Sequence, residues 1–185
     1  SGSTPVGAPK FGSMIVEYKE QGATEYVALD TDALAAKALD AGTYDVRFGV
    51  EEDPNGNYYG LEFVTTTFTI LKKGVTKPTT KQNVVYSGSA QSAIDLTGTE
   101  HYAVAAGSSF EFTDANTHQV KFELKDKTNY CWDEETQSSE NISVDFVINK
   151  ANNSWTTEPS IAGWTYESSG STPVGAPKFG SMIVE

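Results

Sequence analysis

The side chains that could do chemistry are numerous but poorly arranged for catalysis. Acidic residues number 25 against 13 basic ones. The densest acidic run is Glu51-Glu52-Asp53-Pro54-Asn55-Gly56-Asn57, whose oxygen donors at alternate positions look like half of a calcium loop. Tyr58, however, stands where such a loop needs its sharp-turn glycine, and Val64 where it needs its closing glutamate, so the run reads as a solvated turn. Asp133-Glu134-Glu135 reads as an exposed strand-end loop. The two histidines, His101 and His118, have no His-Glu-x-x-His or Gly-x-Ser-x-Gly context, and His118 reads as a packing or surface residue. Cys131, between Tyr130 and Trp132, reads as a small buried hydrophobe rather than a reactive thiol. No catalytic, cofactor-binding or metal-binding residue is assigned, and the expectation is that the chain is not an enzyme. Aromatic side chains are the better candidates for contact with a partner: Tyr58, Tyr59, Tyr102 and Trp132 as exposed aromatics, with Trp164 and Tyr166 further along.

These residues must be positioned by a chain of 185 residues, 38% hydrophobic and 11% aromatic, enough for a packed core. The formal charge is -12 and Arg47 is the only arginine, which argues against a nucleic-acid groove and against an anionic membrane surface. No apolar run of about 18 residues predicts a membrane-spanning helix. One cysteine excludes an intrachain disulfide. Abundant Thr, Ser, Asn, Gly and Tyr suggest an exposed β-rich surface protein.

A repeat sets the organisation. Ser1–Glu17 and Ser169–Glu185 both read SGSTPVGAPKFGSMIVE, an offset of 168 (169 minus 1). The simplest reading is one period of a tandem array plus the start of the next copy; an engineered duplication is the alternative. Half of 168 is 84, a usual size for a small β-sandwich. A weaker internal repeat aligns Ala41–Phe48 with Ala115–Phe122, and Asn57-Tyr58 with Asn129-Tyr130. Two related modules are expected, residues 1–72 and 73–153, followed by 154–185 as the first strand and beginning of the next copy.

The hydrophobic pattern predicts strands. Ser13–Tyr18, Tyr44–Val50, Leu61–Leu71, Gln119–Leu124 and Ile142–Ile148 alternate or are β-branched. Pro54-Asn55-Gly56, Ser87-Gly88 and Ala106-Gly107 mark turns between them. Asp30–Asp40 is Ala- and Leu-rich and closes at Gly42, which predicts one short helix or helical loop in the first module. Ala41-Gly42-Thr43-Tyr44 lets a strand begin after a tight turn, with the Tyr44 ring buried and its hydroxyl bonded to nearby backbone.

Several segments together resemble the tandem immunoglobulin-like repeat modules of large cell-surface proteins of Gram-positive bacteria, particularly gut Firmicutes. They are Trp155 through Tyr166, Ala176-Pro177-Lys178-Phe179-Gly180, the Ala41–Tyr44 strand entry and Asn57–Leu61. In the second module, Tyr86–Gln91, Asn129–Trp132 and Phe146–Lys150 look like the sister type. Asn116 and His118 depart from the Gly and Tyr usual there. The resemblance implies an all-β fold of two small immunoglobulin-like β-sandwich modules in tandem, in an extracellular stalk or adhesin. It also raises a Lys–Asn isopeptide crosslink, with Lys81 and Asn149 as candidates.

The expected function is a non-enzymatic repeat segment of a secreted or surface-anchored bacterial protein, an adhesin stalk and binding array. The alternative is a specific host-protein-binding module, for example one capturing immunoglobulin or a mucosal glycoprotein. Expected partners are a host protein or glycan and adjacent repeat copies, with neither nucleic acid nor membrane insertion. The first module is expected to lack its first strand, which Pro159–Tyr166 supplies at the far end. Head-to-tail strand exchange through Trp164 and Tyr166 follows from that expectation.

Overall fold

The computed structural model describes residues 6–29, 39–95 and 99–185. They form an all-β protein of several sheets, with no helix among the described residues. The helix expected over Asp30–Asp40 falls mostly on residues outside that description. The strands are β1 (Met14–Glu20), β2 (Val27–Ala28), β3 (Gly42–Val50), β4 (Leu61–Ile70), β5 (Lys73–Gly74), β6 (Val84–Val85) and β7 (Gln91–Ser92). They continue as β8 (Tyr102–Val104), β9 (Glu111–Phe112), β10 (Thr117–Leu124), β11 (Tyr130–Cys131), β12 (Ile142–Asn149), β13 (Trp155–Ser160) and β14 (Val174–Pro177). By compactness the chain divides into Ser1–Thr79, Leu96–Ser108 and Lys121–Val144 as one unit, and Thr80–Asp95, Ser109–Val120 and Asp145–Glu185 as the other.

In the first unit an antiparallel sheet has the order β2-β1-β3-β4. β1 and β3 pair over seven positions, from Met14 opposite Val50 to Glu20 opposite Tyr44. The alternation read from the sequence of β3 buries Tyr44 and Val46, while Asp45 and Arg47 lie on the other face. It breaks after Phe48, where a register shift against β4 half-exposes Phe48 and buries Gly49. Tyr44 fulfils the corner role: its ring stacks on Phe68 at 5.2 Å and its hydroxyl donates to the Asp40 carbonyl at 2.9 Å. Burial pushes the Tyr44 phenol up, helped by Glu20, Asp40 and Tyr18. On the opposite face the Arg47 guanidinium lies between the rings of Tyr26 (4.2 Å) and Phe63 (4.3 Å) and pairs with Glu17.

The segment around Lys72–Gly74, where the sequence suggests a join between modules, is pinned down. β5 runs parallel to β11, with Lys73 opposite Tyr130. The Lys72 N–H donates to Gln137 Oε1 at 2.7 Å, and its ammonium donates to the Lys127 carbonyl and Ser139 Oγ. Asn129 Oδ1 accepts from the Ala41 N–H at 2.7 Å, and its Nδ2 donates to Asp40 and Asp126. Gly74 lies close to Glu134: a Cβ there would meet the Glu134 side chain at 2.7 Å, and its N–H donates to Glu134 Oε1.

A second four-stranded sheet has the order β6-β12-β10-β8. The sequence alternation of β10 and β12 is realised. Phe122, Leu124 and Cys131 are buried in the first unit; Val120, Phe146 and Ile148 are buried in the second. Each such side chain withdrawn from water contributes about 1.5–3 kcal/mol. In the second unit Thr80 is buried and donates to the Asp145 carbonyl at 2.7 Å, and β7 pairs with β9.

The second unit also holds β13 and β14, paired antiparallel with Trp155 opposite Pro177 and Ser160 opposite Val174. The strand expected over Pro159–Tyr166 therefore lies earlier, at Trp155–Ser160, because Val174–Pro177 pairs there and Ile161–Tyr166 turns away as exposed loop.

The described parts of the two copies of the duplicated segment share local features and differ in their partners. Gly12 and Gly180 share a left-handed φ of 78° and 79°. Lys10 lies 5.4 Å from the Phe11 ring, and Lys178 lies 5.6 Å from the Phe179 ring. Met14 covers Gly7 as Met182 covers Gly175. Yet, among the described residues, Met14–Glu17 pairs with β3 while Met182–Glu185 joins no strand, and Val174–Pro177 pairs with β13 while Val6–Pro9 is in no strand.

Candidate functional site

A surface groove of about 720 Å³ opens where the N-terminal copy of the duplicated segment enters β1, beside the loop leaving β3. Its apolar lining comes from Phe11, Met14, Val50, Tyr58, Tyr59 and Leu61, and Glu51, Glu52 and Asp53 give it an acidic rim. Phe11 and Tyr58 stack with ring centroids 3.9 Å apart, which fixes both rings as one wall. Tyr59 is 92% exposed beside them. A tyrosine presented this way offers contact area at small entropic cost, since only two χ angles are frozen on binding.

The loop carrying these rings is held by Asp53. Its carboxylate accepts from the N–H and the side-chain amide of both Asn55 and Asn57, at 3.0–3.3 Å. These hydrogen bonds, the Asn55 N–H foremost, hold the Asp53 carboxyl below its ordinary range. The Asp53 N–H donates to the Tyr58 carbonyl, closing the turn. The two Asp53 oxygens of the run that suggested half a calcium loop are thus directed at the loop's own N–H groups. Among the described residues no cluster of three or more His, Cys, Asp or Glu is placed to hold a metal ion.

The sequence-derived aromatic candidates separate into three places. Tyr58 and Tyr59 meet in the groove. Tyr102 is half-buried, 5.9 Å from Trp132 and edge-on to Phe122. Trp132 is only 6% exposed, so the expectation of an exposed ring there is corrected. The loop after it folds back, with the Trp132 N–H donating to the Ser138 carbonyl, and its indole is drawn under the surface. The Trp132 Nε1 has no hydrogen-bond partner among the described residues. Trp164 and Tyr166 are exposed in the second unit, where Trp164 covers Gly170. Trp155 is also exposed. Phe11 is the groove residue that reading by residue type misses; its signal is its place in the duplicated segment, one residue before a left-handed glycine.

The remaining reactive groups are structurally committed. His118 stacks on Phe112 at 4.2 Å, with Nε2 2.8 Å from the Asp114 carbonyl. Cys131 is buried, with its Sγ 3.6 Å from the Lys72 carbonyl. Lys81 and Asn149 are both exposed, and the Asn149 amide donates to the Val84 carbonyl. Asp133 accepts from the N–H groups of Glu135 and Thr136. No protein-family model, no curated protein and no solved structure matches the chain.

Proposed function

We propose that the chain is a non-enzymatic repeat segment of an extracellular bacterial surface protein, acting as stalk and binding array. In this reading residues 1–72 and 73–153 are immunoglobulin-like sandwich modules in tandem, and 154–185 begins the next copy. The observation that supports it is the duplicated segment. The N-terminal copy has the β3 pairing that the C-terminal copy lacks, and the C-terminal copy has the β13 pairing that the N-terminal copy lacks. In a continuous array every internal copy makes both pairings, entering each repeat through a hairpin and then its sheet. Repetition supplies reach, and linked weak sites act at high effective concentration.

Hydrogen exchange on a chain extended by one further period tests this, at concentrations where it is monomeric. The amides of Met182–Glu185 are expected to become as protected as those of Met14–Glu17. Protection unchanged from the single-period chain overturns the array.

The groove favours a second reading, a specific host-protein-binding module such as one capturing immunoglobulin or a mucosal glycoprotein. The fully exposed Tyr59 and the acidic rim suit a partner that presents an apolar anchor ringed by basic side chains. Purified immunoglobulin and purified mucin are the two probes. Binding to either that Tyr59→Ala weakens at least about tenfold supports this reading; binding to neither leaves the stalk.

A further inference from the structure

The C-terminal copy of the duplicated segment is preshaped for a seat it does not occupy. Its glycine turn, its Lys–Phe contact and its Met–Gly contact match those of the N-terminal copy. The N-terminal copy sits on β3 in a defined register: Met14, Ile15, Val16 and Glu17 face Val50, Gly49, Phe48 and Arg47. The equivalents Ile183 and Val184 are 83% and 62% exposed, two apolar side chains in a stretch that joins no strand among the described residues. An unpaired strand of this kind is a template for strand addition.

We propose that Lys178–Glu185 of one molecule displaces Lys10–Glu17 from β3 of a second molecule, so that identical chains associate by strand exchange. Met182, Ile183, Val184 and Glu185 take the places opposite Val50, Gly49, Phe48 and Arg47. Phe179 takes the stacking position on Tyr58, and Glu185 replaces Glu17 as the partner of Arg47. Identical side chains replace one another on β3, Lys178 and Phe179 give up their hydrogen bonds with Ser154 and Asn153, and the displaced segment becomes the exposed one. Tyr18, Lys19 and Glu20, opposite Val46, Asp45 and Tyr44, keep their places and anchor the displaced arm. The contact is head-to-tail, which yields open chains or closed rings. This deepens the array reading, which supplies the origin of the duplication, but the exchange is a property of the single-period chain.

The test compares variants in sedimentation over a wide concentration range, after incubation in mild denaturant to let arms exchange. The unaltered chain is expected to populate dimers and longer species. Gly180→Ala is the discriminating variant. A Cβ at Gly180 meets nothing where it now lies, but in the seat of Gly12 it would meet the Val50 side chain at 2.9 Å. Val184→Asp places a charge on an exposed position that exchange would carry opposite Phe48. Each is expected to weaken self-association roughly tenfold or more while leaving the monomer folded. Val16→Asp is expected to do the reverse, loosening the resident arm and raising the dimer fraction. A labelled peptide of residues 169–185 should bind the chain, and its Val184→Asp form should not.

Concentration-independent monomers together with no peptide binding overturn the proposal. So does self-association that Gly180→Ala and Val184→Asp leave intact. If Val16→Asp fails to fold, the two tail variants decide alone. Protection in the two-period chain without exchange in this one leaves the array standing and removes only the exchange.

Discussion

At the scale of single residues, Asp126 organises a polar cluster outside the groove. Its carboxylate accepts from the N–H groups of Thr128 and Asn129 and from the Asn129 amide. These bonds, that from the Asn129 N–H first, hold its carboxyl below the ordinary range, with Lys72 adding to the effect. Asn129 in turn receives the Ala41 N–H and reaches Asp40. A carboxyl whose folded pKa is depressed contributes stability above its unfolded value, and that contribution disappears as pH falls through the folded value. Stability is therefore expected to fall as pH drops below about 4, the ordinary aspartate value. Asp126→Asn is expected to be less stable at neutral pH and to show a shallower acid loss, the two curves converging in acid. Urea midpoints measured at a series of pH values check this; parallel curves would assign the acid sensitivity elsewhere, to Asp53 and Asp133, which are depressed in the same way.

At the scale of elements, the duplicated segment is its own control, because one residue type in one sequence sits in two environments. Gly12 and Gly180 both adopt left-handed backbone. Alanine at either position carries the left-handed penalty, about 1–2 kcal/mol. Only at Gly12 does the added Cβ also press on Val50, at 2.9 Å. Gly12→Ala is therefore expected to destabilise by about 1–3 kcal/mol more than Gly180→Ala, the range for overpacking, read from urea denaturation. Equal costs would mean that the Lys10–Gly12 turn is not seated on β3. The same segment shows what a sequence can carry. The long strands were legible in Tyr44–Val50, Gln119–Leu124 and Ile142–Ile148 because a half-buried strand needs period-two alternation. The Tyr44 corner was legible because a buried hydroxyl needs a near acceptor. The position of β13 was not, since Trp155–Ser160 and Pro159–Tyr166 are equally strand-like until Val174–Pro177 selects one by pairing. The groove was half legible: Tyr58 and Tyr59 stand out by type, but Phe11 reaches Tyr58 only through the β1–β3 register, a contact between residues far apart in sequence. Trp132 was misplaced for the same reason, since the fold-back at Ser138 is a tertiary event that composition does not encode.

At the scale of the whole molecule, charge separates the two kinds of association by the sign of their salt dependence. Each chain carries a formal -12, so two copies approaching each other repel. The exchanged segment itself is neutral, with Lys178 balancing Glu185, and its seat offers Arg47 to Glu185. Strand exchange therefore has little local electrostatic attraction to set against a long-range repulsion. Salt shortens the reach of that repulsion from about 30 Å at 0.01 M to about 8 Å at 0.15 M. Self-association is accordingly expected to strengthen as salt rises over this range, and to change little beyond it. A basic partner drawn to the Glu51-Glu52-Asp53 rim behaves oppositely, because screening removes an attraction and slows encounter. Sedimentation of the chain alone, and titration of a partner captured at the groove, measured over one salt series, should give slopes of opposite sign. Self-association that weakens with salt would require attraction beyond the single Arg47–Glu185 pair of the β3 seat, and would place the contact between copies on another surface.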